Sequence, residues 1–244
     1  SVGAVYNGDP LLADGVVEFV GQPIFAVAAI SLEIAQRSVD AAVIEYEVLE
    51  ATITPQDAMT KTLFVLPEKR FVQGDARAAI DQAPHRIQGE QYVRGQEHFY
   101  LEGQICHCVP TEDRGVHIIS SSQHPTEVQK LVAKVLAIEF NQVQVEVRRM
   151  GGGFGGKESQ AAALACTAAI FARRNQRPVK FRMPRQDDMV QTGKRHDFWN
   201  QYEVGFDDDG LIHGVTMDLA AMCGYSPDLS EGIVDRAMFH ADNS

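Results

Sequence analysis

Residues 151–157 read Gly151-Gly152-Gly153-Phe154-Gly155-Gly156-Lys157, followed at once by Glu158. Five glycines in six positions cost backbone entropy, and a folded chain keeps such a run where φ is positive or where another group approaches the main chain closely. Before the run, residues 143–147 alternate apolar and polar, as a half-buried strand does; after it, residues 159–174 are alanine-rich and free of breakers, as in a buried helix. The unit is strand, glycine loop, helix. Loop and helix N-terminal amides then converge with the positive end of the helix dipole, an arrangement suited to phosphate, oxyanion or metal-oxo groups.

Three ligand readings compete. Gly151, Gly153 and Gly156 fit G-x-G-x-x-G, but a dinucleotide turn also calls for an acidic residue about 20 positions on, and none lies between Glu158 and Asp187. Gly151 to Lys157 also fits G-x-x-x-x-G-K, yet Glu158 stands where a P-loop needs Ser or Thr to hold magnesium, and its charge would repel a triphosphate. The third reading displays Phe154 at a site and aims the Glu158 carboxylate into it. A turn that merely lets strand and helix pack closely is the plain structural alternative.

Composition excludes some partners. A net charge of -11 over 244 residues argues against a nucleic-acid or anionic-membrane partner. No stretch approaches the roughly 20 apolar residues of a membrane span. Residues 1–9 lack the basic and apolar segments of a signal peptide, so the expected location is cytoplasmic. Cys106, Cys108, Cys166 and Cys223 form no C-x-x-C pair; Cys106 and Cys108 fall on one strand face and read as small core residues rather than metal ligands.

The pattern along the chain predicts an α+β (mixed α/β) protein with a boundary near 68/69. Residues 16–20, 22–29 and 43–48 read as strands, with a helix over 31–42 capped by Ser31, and Thr54-Pro55 opens a short connector helix. The second unit opens with a helix after Asp75, then strands over 85–93, 98–109 and 115–121. A polar loop with Gln123 follows, and Pro125 starts a helix with Val128, Leu131, Val132, Val135 and Leu136 at helical spacing. Beyond the glycine unit come a strand over 178–183, a polar stretch over 185–196, and strands over 198–206 and 211–222. Strand, polar loop, helix thus occurs twice. If the two strands are parallel neighbours, both loops face one cleft, because ligands of open α/β sheets gather at strand carboxyl ends. Gln123 then offers an amide beside the glycine loop; a solvated loop amide is the alternative.

Residues 148–159, Arg148 through Ser159, resemble the cofactor loop of the molybdenum hydroxylase family. Three collinear segments agree: Gly95-Gln96-Glu97-His98-Phe99-Tyr100-Leu101-Glu102, Ser121-Ser122-Gln123-His124-Pro125, and Asp187-Asp188-Met189 with residues 192–198. The similarity runs from Gly21-Gln22-Pro23 to Phe239-His240-Ala241-Asp242 and favours the purine-oxidising branch. It implies that residues 1–68 are the remainder of a hammerhead-like domain and connector, and that 69–244 begin a molybdenum-cofactor-binding domain. By residue, it implies that Gln123 hydrogen-bonds an oxygen ligand of molybdenum and that Gly153, Phe154 and Gly155 contact molybdopterin through the loop backbone. No side chain would ligate the metal directly. Glu158 would orient the substrate, while Glu97-His98 and Lys194-Arg195-His196 would be structural. The family hydroxylates purines such as hypoxanthine and xanthine with oxygen from water, and passes electrons to iron-sulfur clusters and FAD on other domains or subunits of an oligomer. The family's active-site arginine and general-base glutamate belong to later sequence, so the expectation is a fragment that does not turn over substrate by itself. A non-catalytic anion-binding or assembly module of the same fold is the alternative.

Overall fold

The computed structural model describes residues 2–6 and 8–241; Ser1 and Asp242, at the ends of segments discussed above, lie outside them. In chain order the elements are helices α1 (Leu32–Asp40), α2 (Pro55–Thr60) and α3 (Ala76–Gln82), strands β1 (His85–Val93), β2 (Ile105–Pro110) and β3 (Val116–Ser120), helix α4 (Pro125–Leu136), strand β4 (Val143–Glu146), helix α5 (Gln160–Asn175), strand β5 (Val179–Arg182), helix α6 (Arg185–Gln191), strands β6 (Phe198–Phe206) and β7 (Ile212–Ala221), and helix α7 (Ser230–Ala241). The mixed α/β class is as the sequence pattern predicts. Two compact units share the chain discontinuously, one from Ser1–Leu49 with Glu97–Lys194, the other from Glu50–Gln96 with Arg195–Ser244.

The first unit holds a four-stranded sheet in the order β4-β3-β2-β5. Strands β3 and β4 run parallel with Val116 opposite Val143, and the remaining pairs are antiparallel. A parallel pair needs a crossover, and α4 supplies it. That helix starts with Pro at its first turn and ends at Ala137 in the left-handed region, and its 3.6-residue period buries Val128, Leu131 and Val132. Each such side chain contributes about 1.5–3 kcal/mol through burial. Helix α5 packs against both α4 and β2. It buries Ala161, Ala162, Leu164, Ala165, Cys166, Ala168, Ala169 and Ala172, so its small side chains let it settle over Cys106 and Cys108 of β2; the Cys106 thiol reaches the Leu164 carbonyl at 3.6 Å.

The second unit is an antiparallel sheet ordered β1-β6-β7, with α3 against β6 and β7. Gly205 marks a register shift in β6, and a Cβ there would stand 2.8 Å from the Ile80 backbone, so glycine permits the helix to lie this close. Ile80 is fully buried, and Arg77 reaches Glu203 with two guanidinium nitrogens, at 2.6 and 3.0 Å.

Four expected strands are corrected, and two helices add to the sequence pattern. Residues 16–20, 22–29 and 43–48 form no strand: a strand needs a ladder partner for its backbone groups, none is present among the described residues, and side chains such as Val43 and Val48 are about nine-tenths exposed. The strand expected over 98–109 begins only at Ile105, because residues 98–104 turn through a left-handed Phe99 and serve a buried polar network instead. The polar stretch at 185–196 contains α6. Helix α7 has weak amphipathic spacing and was not anticipated.

Candidate functional site

The parallel pairing of β3 and β4 places their carboxyl ends at one edge of the sheet, so the loop carrying Gln123 and the loop carrying Gly151 to Glu158 leave the sheet side by side. They are joined directly. Gln123 Oε1 accepts the N–H groups of Gly155 at 3.0 Å and Lys157 at 3.1 Å, and the Gln123 N–H donates to the Lys157 carbonyl at 2.9 Å. Two amide donors can be met only by an oxygen, so the orientation of the Gln123 side chain is settled and its Nε2 amide points elsewhere. Nε2 has no partner among the described residues.

Space and conformation explain the glycines. A Cβ on buried Gly153 would stand 2.5 Å from Gln123 Oε1, so only glycine admits that side chain. Gly155 has φ +94°, and a Cβ there would meet only ordinary van der Waals contacts. Between them Phe154 takes φ +52°, unusual for a bulky residue, and the residue is 62% exposed. Glu158 is exposed, with no hydrogen bond or ion pair among the described residues. Its Oε1 and His98 Nε2 lie 3.9 and 3.7 Å from where a Gly155 Cβ would be. An unengaged carboxamide donor and an unengaged carboxylate thus flank an exposed, left-handed stretch of backbone.

Beneath the loop lies a set of buried polar groups that sequence reasoning did not single out. Lys157, read above only as a P-loop candidate, is wholly enclosed: its Nζ donates to the Glu102 carbonyl at 2.6 Å, pairs with Glu102 Oε2 at 3.2 Å, and lies 4.5 Å over the Tyr100 ring. Burial pulls the Lys157 ammonium below its usual pKa and outweighs the upward pull of Glu102. At Glu102 burial pushes the carboxyl up, but the Gly151 N–H and the Lys157 ammonium together hold it below its usual value. The partners differ because Lys157 is sealed off while the Glu102 side chain is 35% exposed. Tyr100 donates to Asp188 at 2.6 Å across 88 positions of sequence, a link that no motif spacing announces.

The remaining candidates resolve simply. Cys106, Cys108 and Cys166 are buried, and burial pushes each thiol up to about 12, which suits inert core residues. Among the described residues no group of three or more His, Cys, Asp or Glu could hold a metal ion. Lys194 pairs with Glu97 at 3.0 Å and reaches the Asp188 carbonyl, while His196 Nε2 lies 2.7 Å from Ser230 Oγ. Among the described residues no helix is long and apolar enough to cross a membrane.

Comparison with known proteins concerns the chain as a whole. The family model for the molybdopterin cofactor-binding domain matches residues 55–244. The chain is 37% identical over 245 residues to xanthine dehydrogenase/oxidase of Gallus gallus and 39% identical over 244 residues to xanthine dehydrogenase of Drosophila subobscura, covering 100% and 99% of this chain. In each case it spans 18% of the relative's length. Among solved structures, quinoline 2-oxidoreductase from Pseudomonas putida 86 superposes with a TM-score of 0.77 at 23% identity, over 86% of this chain and 28% of that one. The aldehyde oxidoreductase of Desulfovibrio desulfuricans does so with 0.77 at 22%, over 87% and 24%; at these identities the likeness concerns the fold.

Proposed function

Because the chain belongs to the molybdopterin cofactor-binding domain family, we propose that it forms one wall of the molybdenum site of a hydroxylase that oxidises purines. The observation that supports this reading is the joined pair of loops, with the Gln123 Nε2 donor and the Glu158 carboxylate both unengaged beside the exposed backbone of Phe154 and Gly155. These groups fit the cofactor: Nε2 can donate to it, and beyond buried Gly153 the loop exposes Phe154 and Gly155, where it can be approached. On this reading the metal would be held by its pterin, with no side chain of this chain as a direct ligand.

The molybdenum centre, when bound, supplies the redox and hydroxylation chemistry, with oxygen taken from water. The chain's own contribution is binding and orientation. Glu158 accepts or donates a hydrogen bond at the purine ring edge and fixes which carbon faces the cofactor, while Phe154 provides an apolar surface against the ring. The purine assignment leans on the relatives named xanthine dehydrogenase. On this reading residues 1–68 complete a preceding hammerhead-like domain and 69–244 begin the cofactor domain. The catalytic base, the iron-sulfur and FAD centres and any oligomer contacts come from other parts of a cytoplasmic enzyme, and this segment alone is inactive.

The test uses the complete natural protein. Molybdenum and pterin are expected in stoichiometric amount, and Glu158→Ala is expected to keep both while lowering kcat/KM for xanthine by roughly 10²-fold, the scale of a misplaced substrate. A complete protein without molybdenum would favour a non-catalytic module; unchanged xanthine kinetics would remove Glu158 from substrate orientation.

A further inference from the structure

The buried groups behind the glycine loop are connected in one direction. Asp188 Oδ1 accepts the Tyr100 hydroxyl at 2.6 Å; Thr192 Oγ1 lies 3.0 Å from the same oxygen and 2.6 Å from the Asp188 carbonyl, which share its single hydrogen. Having given its only proton to Asp188, the Tyr100 oxygen must accept from Gln104 Nε2, 3.0 Å away. The same Nε2 donates to the Gly156 carbonyl at 3.0 Å. One carboxamide nitrogen has two hydrogens, and here one goes to each. The polarity of the whole relay, from Asp188 through Tyr100 and Gln104 to the loop backbone, is therefore determined. Tyr100, Gln104 and Asp188 are each at most 2% exposed.

The Tyr100 ring adds shape to this connection. A Cβ on Gly156 would lie 2.7 Å from its Cε1, a Cβ on Gly152 would lie 3.2 Å from the Tyr100 Cβ, and the Lys157 ammonium sits over the ring face. Tyr100 thus meets the loop at residues 152, 156 and 157, on both sides of Phe154 and Gly155. Those two residues are the exposed ones, and both have positive φ. A left-handed Phe persists only where its surroundings over-determine it. A further tie comes from Arg185, whose guanidinium donates to the Tyr100 and Leu101 carbonyls at 2.7 and 2.9 Å.

We infer that Tyr100, anchored by Asp188 and Gln104, is a positioning residue for the glycine loop: the relay clamps both flanks of the loop and so holds Phe154 and Gly155 in their left-handed conformation, ready to receive the cofactor. The clamping is a property of this chain; its consequence for cofactor retention rests on the function proposed above.

The experiment compares the complete protein with Tyr100→Phe, which keeps the ring and loses the anchor, and with Val143→Ala, a core change in β4 away from the loop, used as a control for general loss of stability. Amide hydrogen exchange of residues 152–157 is expected to quicken roughly tenfold in Tyr100→Phe, the factor that loss of one buried hydrogen-bond partner brings. Val143→Ala should leave those amides within about twofold. Asp188→Asn, which keeps an acceptor for the Tyr100 hydroxyl, should stay close to wild type, whereas Asp188→Ala should behave like Tyr100→Phe. Equal exchange in wild type and Tyr100→Phe, or equal acceleration in Val143→Ala, overturns the positioning role whether or not the protein holds molybdenum. Molybdenum loss on dialysis, faster in Tyr100→Phe than in Val143→Ala, reads out the consequence. A wild-type protein without molybdenum would instead count against the proposed function and leave the exchange result standing.

Discussion

At the scale of single residues, two neighbouring glycines are required for different reasons and should respond differently to alanine. Gly153→Ala places a methyl group against Gln123, so the joined loops must separate; the expected cost is about 1–3 kcal/mol of stability, the range for overpacking. Gly155→Ala has room but the wrong φ, and its cost is about 1–2 kcal/mol from backbone strain alone. Adding Gln123→Ala should recover much of the first loss and little of the second, as chemical denaturation of the single and double variants would reveal. The Lys157–Glu102 pair gives a pH signature. Glu102 is held below its unfolded value, so its contribution is present above the unfolded carboxyl pKa and disappears as pH falls through the folded one. Glu102→Gln should therefore flatten the acid limb of a stability–pH curve; an unchanged limb would show that the pairing does not couple to folding.

At the scale of elements, α5 is specified by what it lacks. Its buried face is mostly alanine, so the helix has no large side chain to hold it off β2, and the site loop that precedes it inherits a rigid base. Ala169→Leu is expected to cost about 1–3 kcal/mol, against within about 0.5 kcal/mol for Arg174→Ala on the exposed side of the same helix. The cysteines supply a second check on this packing. Under native conditions a thiol reagent should modify Cys223, the only partly exposed one, while Cys106, Cys108 and Cys166 react only after denaturation. Rapid native labelling of all four would contradict the packing of α5 on β2. Helix α4 was legible because Val128, Leu131 and Val132 repeat at the helical period between a proline start and a left-handed end. Helix α7 was not, because its apolar residues do not gather on one stripe.

For the whole molecule, the division into two units follows contacts that cross long stretches of sequence. Residues 41–53 carry exposed side chains and no ladder bonds, so limited proteolysis of the 244-residue chain should cut there before it cuts within β2 to α5. First cuts inside α5 would contradict that order of stability. By itself the sequence determined the local units: glycine loop between strand and alanine helix, proline-led α4, and the strands over 198–206 and 211–222. Each is set by neighbours within a few residues, through φ preference, capping and hydrophobic period. It also implied that Gln123 and the glycine loop share an edge, conditional on a parallel pairing that periodicity cannot show. Tertiary structure alone decided that β3 and β4 are those parallel neighbours. It likewise left residues 16–29 and 43–48 without strand partners, turned Lys157 inward, and joined Tyr100 to Asp188 beneath the loop. The reason is physical: ladder pairing and buried polar satisfaction depend on which distant groups arrive beside one another, and an amino-acid pattern states what a residue can donate or bury, but not which distant residue meets it.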